Sequence, residues 1–293
     1  MVIHFFRNRN EERIDFFELV DNYFGTIENC HISSNDEVVE INFEYPEFNF
    51  NYQYLITKRT RVSSMYRLNS QYVNINLLVE IPPILPQYLI KLVLVNIADL
   101  CNKFNLSIYH DGIDNIAEFN MYDLLGSLIK ERDDYLEKHP EIKKYYISGD
   151  RLNQIFKYQA KLDELPQLIK ADVIASPYIP MVNELSNQVE LSINYPVGQP
   201  FIFPQHLTYV QIEEEENLIS LIKADVFFKY TEKFMYEVKD STCDVKLLYV
   251  NEKGSLKIKK LLRKLRKFMI SSSNFKHIEM TELIEEGGQI NEN

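Results

Sequence analysis

Tryptophan is absent from this chain of 293 residues, glycine occurs only 8 times and cysteine only 3 times. Each shortage excludes something. With so few glycines a phosphate-cradling loop is hard to build, and the sequence holds no GxxxxGK[ST], no GxGxxG and no GxSxG. Cys30, Cys101 and Cys243 stand far apart, cannot all pair, and form no CxxC or Cys/His ligand spacing. Reduced thiols in a cytosolic compartment are the expectation, with Cys101 a small core residue in the apolar run 94–104. No metal site and no cofactor is expected.

Long apolar runs are also missing. The longest, residues 84–100, is interrupted by Gln87, Lys91, Asn96 and Asp99, too short and too polar to span a bilayer. The first residues have no basic segment followed by an apolar one, so no secretory signal is read there. A cytoplasmic protein is expected. Asn, Ile, Lys and Tyr are prominent, as in the products of AT-rich bacterial or phage genomes; for a phage product the compartment is the host cytoplasm.

What the chain does have is acid. The net charge is −11, unevenly spread. Residues 1–56 carry Arg7, Arg9 and Arg13 against eleven carboxylates. Residues 253–267 carry eight cations and no acid, so the rest of the chain stands at −19. A chain this acidic repels nucleic-acid backbones, which argues against direct nucleic-acid binding except through a local patch.

Periodicity predicts grouped strands and helices. Residues 11–24 have near-helical apolar spacing and predict a short helix. Residues 37–45 alternate, with Val39, Ile41, Phe43 and Tyr45 on one face. Strands follow at 52–57 and 71–81, helices at 85–104 and 121–139 with a short strand between, and Pro140 as a stop. After a junction at 141–150 a helix is expected over 151–165, capped by Ser148 or Asp150. A proline-punctuated sheet covers 166–212, with a turn at 196–199. Then come a helix over 226–237 capped by Asp225, a strand at 245–250, and a basic helix reaching about residue 270. Strands grouped rather than alternating with helices predict α+β: two mixed helix/sheet domains with mainly antiparallel sheets, residues 1–145 and 146–293.

The basic helix is the strongest local signal. Leu256, Leu261, Leu265 and Phe268, with Ile258 and Leu262, form its apolar stripe. Lys257, Lys260, Arg263, Lys264 and Lys267 lie on the other face, a docking surface for an acidic partner, phosphate or an anionic membrane. A solvated outer face explains the same charges. A second cationic set, Lys58, Arg59, Arg61 and Arg67, is interleaved with Met65 and Tyr66; Arg and Tyr are favoured interface anchors, although an ordinary surface loop looks the same. A metal-nuclease arrangement of Asp225, Glu237 and Lys239 can be drawn, but the Glu/Asp-x-Lys pattern recurs at 141–143 and 244–246, and Glu237 is expected at a helix end. His110 beside Asp111 and Asp114 could move a proton, or simply sit at an Asp-Gly turn.

The expected function is therefore non-enzymatic protein binding. Its most concrete form is an inhibitor, a toxin immunity protein or phage anti-defence protein, docked on a partner such as a nucleic-acid-binding enzyme or complex. The alternatives are a metal-dependent nuclease of unrecognised type and a structural or assembly subunit, the latter a homo-oligomer.

Overall fold

Alternating apolar residues build most of the strands, and the computed structural model describes them within residues 1–62, 68–143, 145–169, 172–213, 219–238 and 246–286. The fold is α+β, and the chain divides into two compact units, Met1–Lys144 and Tyr145–Glu286.

The first unit is built on β1 (Val2–Asn8), β2 (Cys30–Ser34), β3 (Val38–Tyr45), β4 (Phe50–Thr57), β5 (Tyr72–Glu80), β6 (Ser107–Tyr109) and β7 (Ala117–Glu118). They form one antiparallel sheet in the order β2-β3-β4-β5-β1-β6-β7. A register shift in β1 between His4 and Phe6 leaves Phe5 and its neighbour Phe6 both fully buried. Such an irregularity lets successive residues serve different cores. Ile41 and Phe43 of β3 are buried as the alternation requires. Phe24, Phe43, Tyr52 and Tyr54 form a run of ring contacts, and Asn96 donates to the Tyr52 and Tyr45 hydroxyls at 2.7 and 2.9 Å.

Asn96 comes from α1 (Gln87–Phe104), which packs on α2 (Met121–Lys138). Pro86 precedes α1, and Asn105 ends it in the left-handed region at φ 50°, donating to the Cys101 carbonyl. The Asn120 side chain caps α2 by accepting from the backbone N–H of Tyr122 and Asp123. Its buried stripe includes an unexpected member. Arg132 follows Leu128 and Leu125 at helical spacing, is 2% exposed, and donates to the Leu85 carbonyl and to Asp133.

The second unit opens with β8 (Tyr145–Ile147), α3 (Gly149–Ala160) and the short α4 (Leu165–Ile169). Strands β9 (Ile179–Asn183), β10 (Gln188–Tyr195), β11 (Phe201–Pro204), β12 (Tyr209–Glu213) and β13 (Ile219–Lys223) follow. Then come α5 (Ala224–Thr231), β14 (Tyr236–Glu237), β15 (Leu247–Val250) and α6 (Glu252–Leu265), and finally β16 (Ile270–Ser271), β17 (Phe275–His277) and β18 (Leu283–Glu285). The main sheet runs β16-β13-β12-β10-β9-β17, antiparallel except for the β10–β12 pair. A three-stranded sheet runs β11-β15-β14, and β18 lies parallel to β8. Tyr195, Phe201, Phe203, Phe227, Ile258 and Leu265 belong to one buried cluster joining these sheets to α5 and α6.

Several expectations are corrected. Between 11 and 24 the regular element is a π-helical turn, Glu18–Tyr23, running into a 3₁₀ turn, Phe24–Thr26. The helix expected from 226 to 237 is α5, which ends at Thr231. Its hydroxyl donates back to the Phe227 carbonyl at 2.7 Å, and a 3₁₀ turn, Glu232–Phe234, follows. Asp225 sits in the first turn of α5, with Lys223 at the cap position. Ser148 occupies the cap position of α3 without a side-chain bond, and α3 ends at Ala160. Alpha6 stops at Leu265, because Ile270 and Ser271 are drawn into pairing with β13. Within the sheet expected over 166–212, residues 173–175 contribute one parallel bridge, Ile174 with Phe201.

Candidate functional site

Asn251 begins α6 by accepting from the Gly254 N–H at 2.9 Å. Gly254 lets the helix come close: a Cβ there would stand 2.7 Å from the Phe234 carbonyl oxygen and 2.6 Å from Val250. Ser255 is fully buried and donates to the carbonyls of Gly198 and Glu252. Gly198 holds φ +89° in a turn closed by the Gln199 N–H to the Pro196 carbonyl, the expected turn at 196–199. The inward face is therefore Gly254, Ser255, Ile258, Leu262 and Leu265. Leu256 and Phe268, placed on the apolar stripe by sequence, are 48% and 36% exposed. The true stripe follows the steps 255, 258, 262 and 265.

All eight cations, Lys253, Lys257, Lys259, Lys260, Arg263, Lys264, Arg266 and Lys267, are exposed. Among the described residues no carboxylate lies in ion-pair range of Lys253, Lys259, Lys260, Arg263 or Lys264. Lys257 lies over the Phe234 ring at 5.5 Å, and Lys267 over Phe268 at 4.9 Å. Phe268 contacts the half-exposed Tyr230 ring, with centroids 6.0 Å apart. The outer face of α6 is a cationic surface edged by aromatic rings.

The second predicted set belongs to the first unit. Arg61 is paired with Glu80 at 3.2 Å, and Glu80 also accepts from Gln53 at 2.8 Å. Glu80, Gln53, Asn42 and Asn51 line a polar cavity of about 390 Å³. Arg59 is exposed, with no ion pair among the described residues, and its carbonyl accepts from Thr57. Tyr66, Arg67 and Met65 lie outside the described residues.

Of the nuclease arrangement, Glu237 lies on β14, not at a helix end, and meets Lys246 at 3.7 Å. Asp225 accepts from the Val226 N–H at 2.7 Å. Lys239 lies outside the described residues. Among the described residues no three His, Cys, Asp or Glu side chains come together as a metal site.

His110 is buried at the end of β6. Its Nδ1 lies 3.1 Å from both the Gly112 N–H and the Ser127 hydroxyl, and its Nε2 lies 2.7 Å from Glu131. The Gly112 N–H makes Nδ1 an acceptor, so Nε2 carries the proton and donates to Glu131. Glu131 is held below the usual carboxylate range, first by that hydrogen bond and then, against the opposing effect of burial, by the Met1 ammonium charge. The predicted partners Asp111 and Asp114 make no hydrogen bond to the ring among those described; Glu131 and Ser127, one turn apart on α2, take that role. This arrangement ties the Asp111–Gly112 turn to α2. Cys30 and Cys101 are free thiols pushed by burial to about 11 and about 12, poor nucleophiles at neutral pH. Cys243 lies outside the described residues.

A second feature of the Tyr145–Glu286 unit escaped the sequence. A cleft of about 360 Å³ opens beside α5, floored by Phe203, Leu207, Phe228 and Leu248. Asp225, Glu232, Lys246 and His206 also line it. His206 adopts φ +67°, rare for a residue with a Cβ. Its ring meets Gln154, and its carbonyl accepts from Arg151 at 2.8 Å. Burial, reinforced by the Arg151 charge, lowers the His206 pKa below the ordinary imidazole value. The spacing of Asp225, Phe228 and Glu232 was the available signal, since steps of three and four place them on one helical face.

Among the described residues no helix is long and apolar enough to cross a membrane. No family model, no curated protein and no solved structure matches the chain.

Proposed function

We propose that this chain is a non-enzymatic protein-binding protein, in its most concrete form an inhibitor, which docks an acidic partner on the outer face of α6. One observation carries the reading: among the described residues the exposed cations of α6 have no carboxylate in ion-pair range, in a chain rich in carboxylates. Solvation alone is a poor account of that face. Four like-charge pairs fall at i,i+4, namely 253/257, 259/263, 260/264 and 263/267. Each costs a helix about 0.2–0.5 kcal/mol, where an interleaved glutamate would have stabilised it. The rings of Phe234, Phe268 and Tyr230 add flat apolar surface beside the charges, the composition of an interface anchor.

The test compares the full chain with the variant Arg263→Glu, Lys264→Glu, Lys267→Glu. Both are titrated with a polyglutamate peptide, single-stranded and duplex DNA, and vesicles containing phosphatidylserine. The reading expects the parent to bind polyglutamate and the variant to lose it, with matched thermal unfolding. DNA or vesicles binding while polyglutamate does not would replace it with a phosphate-recognition function, and equal behaviour of parent and variant would remove it.

A further inference from the structure

We propose that the cleft beside α5 binds a linear aliphatic diammonium ligand, a polyamine-like chain, with its two charges on Asp225 and Glu232 and its methylenes across Phe228. The argument is independent of the α6 surface and begins with spacing. Asp225, Phe228 and Glu232 follow one another by three and four residues, so they form a single stripe along α5 and its 3₁₀ extension. All three line the same cleft. At 1.5 Å per residue the two acidic positions stand roughly 10 Å apart, with the phenyl ring between them.

Charge then selects the ligand. Asp225 and Glu232 are exposed, and among the described residues no cation lies in ion-pair range of either. Lys246, the one lysine among the described residues of the lining, is answered from outside it by Glu237 at 3.7 Å. His206 stays uncharged at neutral pH, because burial and the neighbouring Arg151 disfavour its cation. The lining therefore presents two uncompensated negative charges over an apolar floor.

The floor makes the site more than a pair of acids. Phe203 is buried and meets Phe228 edge to face, with centroids 5.8 Å apart and planes at 86°. Leu248 and Leu207 complete an apolar bed. A hydrocarbon chain laid there leaves water, while ammonium groups at its ends keep the solvated rim. A four-carbon diamine lays only half the methylenes on that bed, and a monoamine neutralises only one carboxylate.

The full chain is titrated calorimetrically with octamethylenediamine, octylamine, octanediol and tetramethylenediamine at one ionic strength. The diamine of eight carbons should bind about fivefold or more tightly than octylamine, since each exposed charge pair contributes modestly. Octanediol and the four-carbon diamine should bind more weakly still. Asp225→Asn and Glu232→Gln, near-isosteric changes at exposed positions, should each bring octamethylenediamine down to about the affinity of octylamine. Phe228→Ala should weaken both amines. Equal affinity for the eight-carbon diamine and octylamine would overturn the proposal, as would diamine binding unchanged by either carboxylate substitution, or no binding at all. Because these variants leave α6 untouched, their failure and a failure of the polyglutamate test are separate results.

Discussion

At the scale of single residues, the described polar groups nearest to catalytic geometry hold the fold instead. Ser127, His110 and Glu131 line up in hydrogen-bond range, as a nucleophile, base and carboxylate would. The backbone N–H of Gly112 also reaches Nδ1, the nitrogen a serine base would need free. Ser127 is itself crowded, because a Cβ on Gly112 would stand 2.0 Å from its hydroxyl oxygen and 3.1 Å from Nδ1. The arrangement therefore predicts coupling in stability. Gly112→Ala should destabilise by about 1–2 kcal/mol, the cost of overpacking a filled site. Ser127→Ala alone should cost less, since Nδ1 keeps its backbone donor, and in the double variant it should recover most of the Gly112→Ala loss. Urea unfolding of the four proteins gives the cycle directly. Additive effects would show that Gly112 and Ser127 do not share this contact. Sequence pointed to His110 but to the wrong partners. Asp111 and Asp114 are neighbours in the chain, whereas Glu131 and Ser127 arrive through the packing of α2, which no local spacing reveals.

At the scale of elements, legibility followed period and burial. Strand β3, with one buried face, was plain from alternation, as were the long stripes of α1 and α2; β10 buries Leu191, Ser192 and Ile193 in succession and was read from the prolines around it. Central β1 was missed because Ile3, Phe5 and Phe6 are all buried and give no alternation. Edge strand β2, Cys30–Ser34, is mostly exposed and carries no apolar face to detect. Alpha6 was found by its charge, and Ile258, Leu262 and Leu265 of its expected stripe are buried, but Leu256 and Phe268 are exposed, and Gly254 and Ser255 face inward. The capping asparagine and the buried Ser255 fix its rotation, and both are polar residues that an apolar stripe overlooks. Its charge pattern separates stability from binding. Lys260→Glu places a carboxylate four residues before Lys264 and three before Arg263, the favourable order on a helix. Stability should rise by about 0.5 kcal/mol, seen as a small increase in Tm, while polyglutamate affinity falls. A face shaped only by solvation would show the stability gain with no loss of binding, so that outcome would count against docking.

At the scale of the molecule, a −11 chain is asked to hold an acidic partner, and range decides how. Residues 145–286 hold eighteen Lys and Arg against twenty Asp and Glu, so the α6 face is a local exception in a nearly neutral unit, and most of the net negative charge belongs to residues 1–56. Charges are felt across a screening length of about 30 Å at 0.01 M salt, about 10 Å at 0.1 M and about 3 Å at 1 M. At the lowest salt an acidic partner meets the repulsion of the whole chain. Near 0.1 M that repulsion is largely screened, while contacts made on the face of α6 are not. At 1 M both are lost, apart from the apolar contribution of Phe268 and Tyr230. Affinity for polyglutamate should therefore pass through a maximum at intermediate ionic strength, rather than falling steadily as it does for a basic protein on a polyanion. Reversing charge within residues 1–56, by Glu37→Lys and Glu40→Lys in exposed or half-exposed positions, should raise affinity more at low salt than near 0.1 M. Titrations at three salt concentrations test this. A monotonic decline for the parent would mean that the net charge has no hold on the encounter, and that the α6 face acts alone at every distance.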